Sequence, residues 1–409
     1  MAEKVVRDIL PDGKGVNAIE GWHVVRLDKK ALIEFGEEKE LWKTPRLLEE
    51  PTFLRQTVGY IGAFNNKFLV SRIDPENGAT DQATVEFPIR DVDTDLKHFY
   101  ITTTDKIYKC EENRFFPKED YELKLVESMD KNFKSIAITP DHIYLVSENN
   151  LYRLNKHGGI EVEKPMPEAL QIRADVDNVY IVTDDNRILI ATPEFEIIAH
   201  NTFEGNLKKF DVGPFFIYIL TDKHFYVFSK VTAERVAHVE DADHYETFGV
   251  GLNHIYFYNT KEQAIEAVYK RDLLEAGLGE ITLELLMEYM LAALMMLEKI
   301  TGKKAYLHVK EGHFHIHVGK KVIDFEQFIK ALAKVFPETY YFFYNKGYTR
   351  YLLDFGKECK ILGATAEKGK IEVDIAQFED LIERNFFIKQ NKDLLLETVK
   401  EIIENAKEV

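Results

Sequence analysis

Cysteine is scarce: the 409-residue chain has two, Cys110 and Cys359, too few for a disulfide framework and too far apart for a CxxC metal site. Serine is nearly absent, occurring at Ser71, Ser128, Ser135, Ser147 and Ser229, and none of these lies in a Gly-x-Ser-x-Gly nucleophile turn. No apolar run approaches the ~20 residues that cross a bilayer. The longest, from Leu285 to Leu297, is interrupted by Glu288. The N-terminal Met-Ala-Glu-Lys-Val-Val-Arg-Asp lacks the apolar core of a secretory signal, so a cytoplasmic, non-membrane protein is expected. Positive charge is in deficit as well: 53 Lys+Arg against 70 Asp+Glu give a formal net charge of −17. That balance opposes acidic lipid and direct sequence-specific binding of nucleic acid, and favours basic protein partners. Little serine and glutamine beside abundant lysine and glutamate is the balance of a heat-adapted, hyperthermophile-like protein.

What the chain does have is a repeat. Five segments align: His98-Phe-Tyr-Ile-Thr102, His142-Ile-Tyr-Leu-Val-Ser147, Asn178-Val-Tyr-Ile-Val-Thr183, Phe216-Ile-Tyr-Ile-Leu-Thr221 and His254-Ile-Tyr-Phe-Tyr258. Their tyrosines, Tyr100, Tyr144, Tyr180, Tyr218 and Tyr256, recur at intervals of 44, 36, 38 and 38 residues. A polar turn and a second apolar segment follow most copies, as in Asp184-Asp-Asn186 before Ile188-Leu-Ile190, which is hairpin chemistry. Weaker copies stand at Lys67–Ser71 and Trp22–Arg26. A period near 39 residues from Val24 to Tyr256 is that of one four-stranded blade per step. Radial stacking of such sheets leaves only short edges. Residues 1–270 resemble the β-propeller superfamily by period and hairpin layout, without WD40 or kelch signatures, and about seven blades are expected. The strand Lys4–Leu10 should close the last blade by pairing near Ala264–Val268.

Beyond Lys270 the period of two gives way to helical spacing, so residues 271–409 are expected to form a separate α+β domain. Its longest helix, Ile281–Ile300, carries Leu283, Leu286, Met287, Met290, Leu294 and Leu297 on one face, while Leu291 and Met295 make the opposite face apolar too. Met287, Met290, Leu291, Leu294 and Met295 are therefore candidates for a dimer or partner interface. A hairpin (305–310 and 313–318), a helix (324–336), an aromatic hairpin (339–344 and 348–355) and two terminal helices (375–386 and 392–407) should follow. The acidity is uneven: residues 1–270 hold 33 basic and 47 acidic side chains, and residues 271–409 hold 20 and 23.

His308, His313, His315 and His317 would share one face of that first hairpin, and a His-x-His-x-His strand can ligate zinc or a redox metal. Solvated or interface histidines fit the same pattern, and no carboxylate alternates among them in sequence. Asp91-x-Asp93-x-Asp95 opens like a calcium loop, but Leu96 stands where glycine is needed and Thr102 where a bidentate glutamate belongs. Gly363–Lys370 is one residue too long for a phosphate loop, and Ile371 follows where Ser or Thr should hold Mg²⁺. No cofactor is expected.

The layout and composition together are similar to the ribosome-associated dimerization factors of heat-loving archaea. That resemblance implies a homodimer bridging two small ribosomal subunits, blocking their joining with the large subunit in a hibernation-like regulation of translation, with no catalysis. The alternative from another class is a metal-dependent hydrolase or other propeller enzyme using the histidine face or the central channel.

Overall fold

The computed structural model describes residues 5–7, 19–20, 23–28, 31–35, 40–48, 53–56, 61–65, 69–73, 78–84, 88–95, 98–110, 123–250, 254–262, 264–274, 283–310, 313–345, 364–367 and 370–408. The chain divides into two compact units, Met1–Glu280 and Ile281–Val409. The division falls after Glu280 rather than after Lys270 because the chain makes one helical turn, Lys270–Leu273, beyond its last strand. It then buries Leu274 in the cluster of Tyr245, Phe257 and Val268.

The described strands of the first unit form seven small antiparallel sheets, spanning residues 19–43, 53–84, 91–110, 135–165, 169–202, 207–239 and 245–269. Six are four-stranded, and three strands of the sheet at 91–110 are described. The last sheet acquires its fourth strand from the start of the chain: Val5–Arg7 pairs with Ala264–Tyr269 in the register Val5↔Ala267, Val6↔Glu266 and Arg7↔Ile265. The first strands of the seven sheets touch in cyclic order, and contact between Ile19–Glu20 and Tyr245–Val250 completes the circle. This is a β-propeller-like fold.

Burial follows from that stacking. Strands Phe99–Thr102, Val179–Thr183 and Phe216–Thr221 are buried at every position, because neighbouring sheets cover both of their faces. Tyr144 and Ala137 of one sheet pack with Val179, Ile181 and Leu189 of the next, and Phe225 and Tyr218 pack with Phe248 and Phe257 across another seam. Outer strands such as Ile160–Pro165 alternate half-buried and exposed residues, as edges do. Four of the five repeat tyrosines are 0–2% exposed, and Tyr256 is half-buried. One expected copy is displaced by a strand. Leu69–Ile73 is the third strand of its sheet, and Ile61–Phe64 stands where five other sheets carry their tyrosine strand.

In the second unit a six-stranded sheet runs in the order 364–367, 370–373, 305–310, 313–318, 321–324, 407–408. Ala305, Leu307, Ile316, Val318, Ile323, Ile371 and Val373 form its buried face. The helix Leu283–Thr301 packs against the strands Ala305–Lys310, His313–Val318 and Lys370–Val373, and against the helices Phe378–Arg384 and Lys392–Glu404. Its apolar residues on both sides are therefore interior. Met287, Met290, Leu291, Leu294 and Met295 are 0–1% exposed, so the docking face expected on this helix is instead core. Phe325–Val335 starts where Asp324 caps it, the carboxylate accepting from Glu326 N and Gln327 N.

The first arm of the expected aromatic hairpin is also different. Pro337 starts a helical turn, Tyr340–Asn345 continues as a π-helix, and Tyr340, Tyr341, Phe342, Phe343 and Tyr344 are buried. With this much aromatic surface to bury, tertiary packing overrides strand propensity. The second arm, 348–355, lies outside the described residues.

Candidate functional site

The strands Ala305–Lys310 and His313–Val318 pair in the expected register, with Tyr306 opposite His317 and His308 opposite His315. Cross-strand partners point to the same side of a sheet. Since Leu307, Ile316 and Val318 fill the interior side, His308, His315 and His317 stand together on the other, all half-buried. One ring nitrogen from each lies within 4.8 Å of the other two. His308 Nδ1 and His315 Nε2 are 3.1 Å apart, so one ring donates its N–H to the other. The His317 ring stacks on Tyr306 at 4.8 Å, and Lys370 Nζ sits 4.6 Å from the centre of the Tyr306 ring. Burial, then the neighbouring His315, His308 and Lys370, hold the His317 imidazole below its ordinary pKa. His313 pairs with Lys310 along the backbone, and its side chain lies outside the described residues.

Two carboxylates flank this face that sequence alternation did not bring in, because they arrive from other strands. Asp324 pairs opposite His315, and Glu372 opposite Tyr306. Asp324 is engaged as the helix cap, and Glu372 is exposed.

The propeller unit spends its polar side chains differently. Asp91 Oδ2 accepts from Ser135 Oγ at 2.8 Å and Ile136 N at 3.1 Å, and Asp93 Oδ2 accepts from Ile138 N at 2.7 Å. Asp91 and Asp93 thus tie the sheet at 91–110 to the one at 135–165. Arg55 Nε donates to Val92 O at 2.8 Å, joining the preceding pair of sheets. Burial pushes the Asp93 carboxyl up to about 6, against the lowering influence of Arg173 and Arg55.

Two three-residue staples recur. Asp95 Oδ2 accepts from Tyr100 Oη at 3.0 Å and from Lys156 Nζ at 3.4 Å. Asp175 Oδ2 accepts from Tyr180 Oη at 2.8 Å and from Lys230 Nζ at 2.6 Å. In each case the aspartate and tyrosine belong to one sheet and the lysine to the next. Asp91, Asp93 and Asp95 are thus structural, as their failed calcium pattern implies. Asp95 and Asp175 each also accept from a backbone N–H three residues on and so shape the turn before the tyrosine strand, whereas Asp91 and Asp93 lie within the strand Asp91–Thr94. The two lysines escaped sequence reasoning, although both stand twelve residues after the repeat tyrosine of their own sheet, Tyr144 and Tyr218.

Cys110 is buried, which pushes its thiol pKa up and makes it inert. Ala364–Glu367 and Lys370–Val373 form an antiparallel hairpin, so the segment that mimics a phosphate loop contributes sheet strands. Cys359 lies outside the described residues.

These features define a β-propeller-like protein with an appended α+β unit bearing a three-histidine sheet face. A protein of Aquifex aeolicus (strain VF5), described as "Uncharacterized protein", is 32% identical over 375 residues, which cover 92% of this chain and 93% of that one. The chain belongs to the same family as that protein. No family model matches. Among solved structures, BamB from Moraxella catarrhalis is similar at a TM-score of 0.46 and 12% identity, covering 63% of this chain and 85% of that one. The computationally designed Ika8 protein is similar at 0.44 and 9%, covering 60% and 82%.

Proposed function

We propose that this is a non-catalytic interaction protein, whose seven sheets are the blades of a propeller that serves as a rigid docking platform. The observation that carries this reading is the use of Asp91, Asp93, Asp95 and Asp175. These carboxylates are committed to bonds between adjacent sheets, which stiffen the ring. The excess of acid within residues 1–270, 47 side chains against 33 basic ones, selects a basic protein surface as partner. Small ribosomal subunit proteins are the abundant surfaces of that kind, and a factor acting there would regulate translation.

With the helix Leu283–Thr301 interior, a homodimer needs another contact. In this reading Phe386 and Phe387, 62% and 47% exposed, supply it together with Leu394. Sedimentation of the full chain with purified small subunits tests the proposal. Co-migration that weakens with salt supports it, and protein left wholly at the top of the gradient at low and at physiological salt removes the ribosomal partner.

A further inference from the structure

We propose that His308, His315 and His317 form a binding site for one first-row transition-metal dication, with Zn²⁺ as its representative. The inference stands apart from the docking reading above: either can fail without the other.

Three observations converge. The first is spacing. Two nitrogens bound to one tetrahedral ion at 2.0–2.1 Å lie about 3.3 Å apart, and His308 Nδ1 and His315 Nε2 are already 3.1 Å apart. The third nitrogen lies within 4.8 Å of both, so a rotamer adjustment of about 1.5 Å or less in His317 brings it to the same ion.

The second is scaffolding. The three histidines project from two paired strands whose opposite face is packed core, and the sheet fixes their Cβ positions before any ion arrives. Tyr306, opposite His317, stacks on its ring and keeps it on the same side of the sheet as His308 and His315.

The third is protonation. A metal displaces protons from imidazole, so neutral rings bind best. Three histidines this close cannot all be charged cheaply, and partial burial adds to that penalty.

Three imidazoles from one surface leave the remaining coordination positions of the ion to water or to an incoming group, the arrangement of an open rather than a closed site. Imidazole donors without thiolates suit Zn²⁺, Ni²⁺, Cu²⁺ or Co²⁺ and disfavour Ca²⁺ and Mg²⁺. Lys370, close enough to lower the His317 pKa, adds repulsion and sets the affinity below that of carboxylate-backed sites.

The test uses the full chain, stripped with chelator and dialysed, then titrated with Co²⁺ by visible absorption and with Zn²⁺ by calorimetry. One equivalent per chain is expected, with binding weakened at least tenfold in His315→Ala and in His317→Ala and unchanged in His238→Ala, which alters a propeller histidine. Absence of saturable binding by either ion, or equal binding by the wild type and both site variants, overturns the proposal. Imidazole NMR of the wild-type chain covers the case in which a variant does not fold. Zn²⁺ should shift His308, His315 and His317 among the thirteen histidines, and shifts confined to other rings, or none, overturn it equally.

Discussion

Lys230 Nζ lies 2.6 Å from Asp175 Oδ2 across the seam between two propeller sheets, with both side chains less than a tenth exposed. Burial alone would raise the Asp175 pKa, but the Lys230 ammonium, the Asn178 N–H and the Tyr180 hydroxyl outweigh it and hold the carboxyl below its ordinary value. The same carboxylate-tyrosine-lysine arrangement joins Asp95, Tyr100 and Lys156 two sheets earlier.

Removing one partner of such a pair strands the other as a buried charge. Lys230→Met should therefore cost about 3–5 kcal/mol in urea unfolding. The double variant Lys230→Met with Asp175→Asn should recover part of the loss. If the double variant is as unstable as the sum of the single ones, the pair is not coupled.

Asp93 predicts a pH dependence of the less common sign. Its folded pKa, about 6, stands above the unfolded 3.8, so the folded chain holds more protons between those values. The stability it contributes is complete below about pH 4 and is lost as pH rises through 6. Asp93→Asn keeps an acceptor for Ile138 N and has no proton to lose. Its stability should gain on that of the wild type between pH 4 and 6 and run parallel above, as read from unfolding midpoints.

Because Leu291 and Met295 are interior, Leu291→Ala should lower stability by about 2–5 kcal/mol, the cost of a core cavity. The variant should keep the oligomeric state of the wild type in light scattering. By contrast, Phe386→Asp with Phe387→Asp should leave the unfolding midpoint nearly unchanged and convert a dimer to monomer at micromolar concentration. If the wild type is itself monomeric there, the homodimer is wrong.

The propeller-like layout was legible because five of the seven sheets repeat one chemistry: an apolar strand with a central tyrosine, a polar turn, and a second apolar strand. Closure by the first strand could be read as well, since a ring of sheets must join its ends. The register of the histidine hairpin followed from the sequence, which leaves only Glu311 and Gly312 between its two alternating segments. The fate of the methionine-rich helix was not legible, because a helix apolar on both sides reads the same whether a partner or its own domain covers it. Phe342 and Phe343 read as strand by propensity yet adopt a π-helix against the core, since local preference is weaker than the burial of five consecutive aromatic side chains. The staple lysines were hidden because a single polar residue after a strand looks like any turn. Within the repeat, however, lysine appears at that place in the sheets that follow Asp95 and Asp175, while Thr192 and Val268 take it in the sheets that follow Thr139 and Gly213.

The docking platform is tested most directly by sedimenting the full chain with purified small ribosomal subunits at low salt and again at about 0.5 M, where surface charge is screened within a few ångströms. The account predicts co-migration at low salt and release at high salt. Protein that stays at the top of both gradients, or binding indifferent to salt, would contradict it.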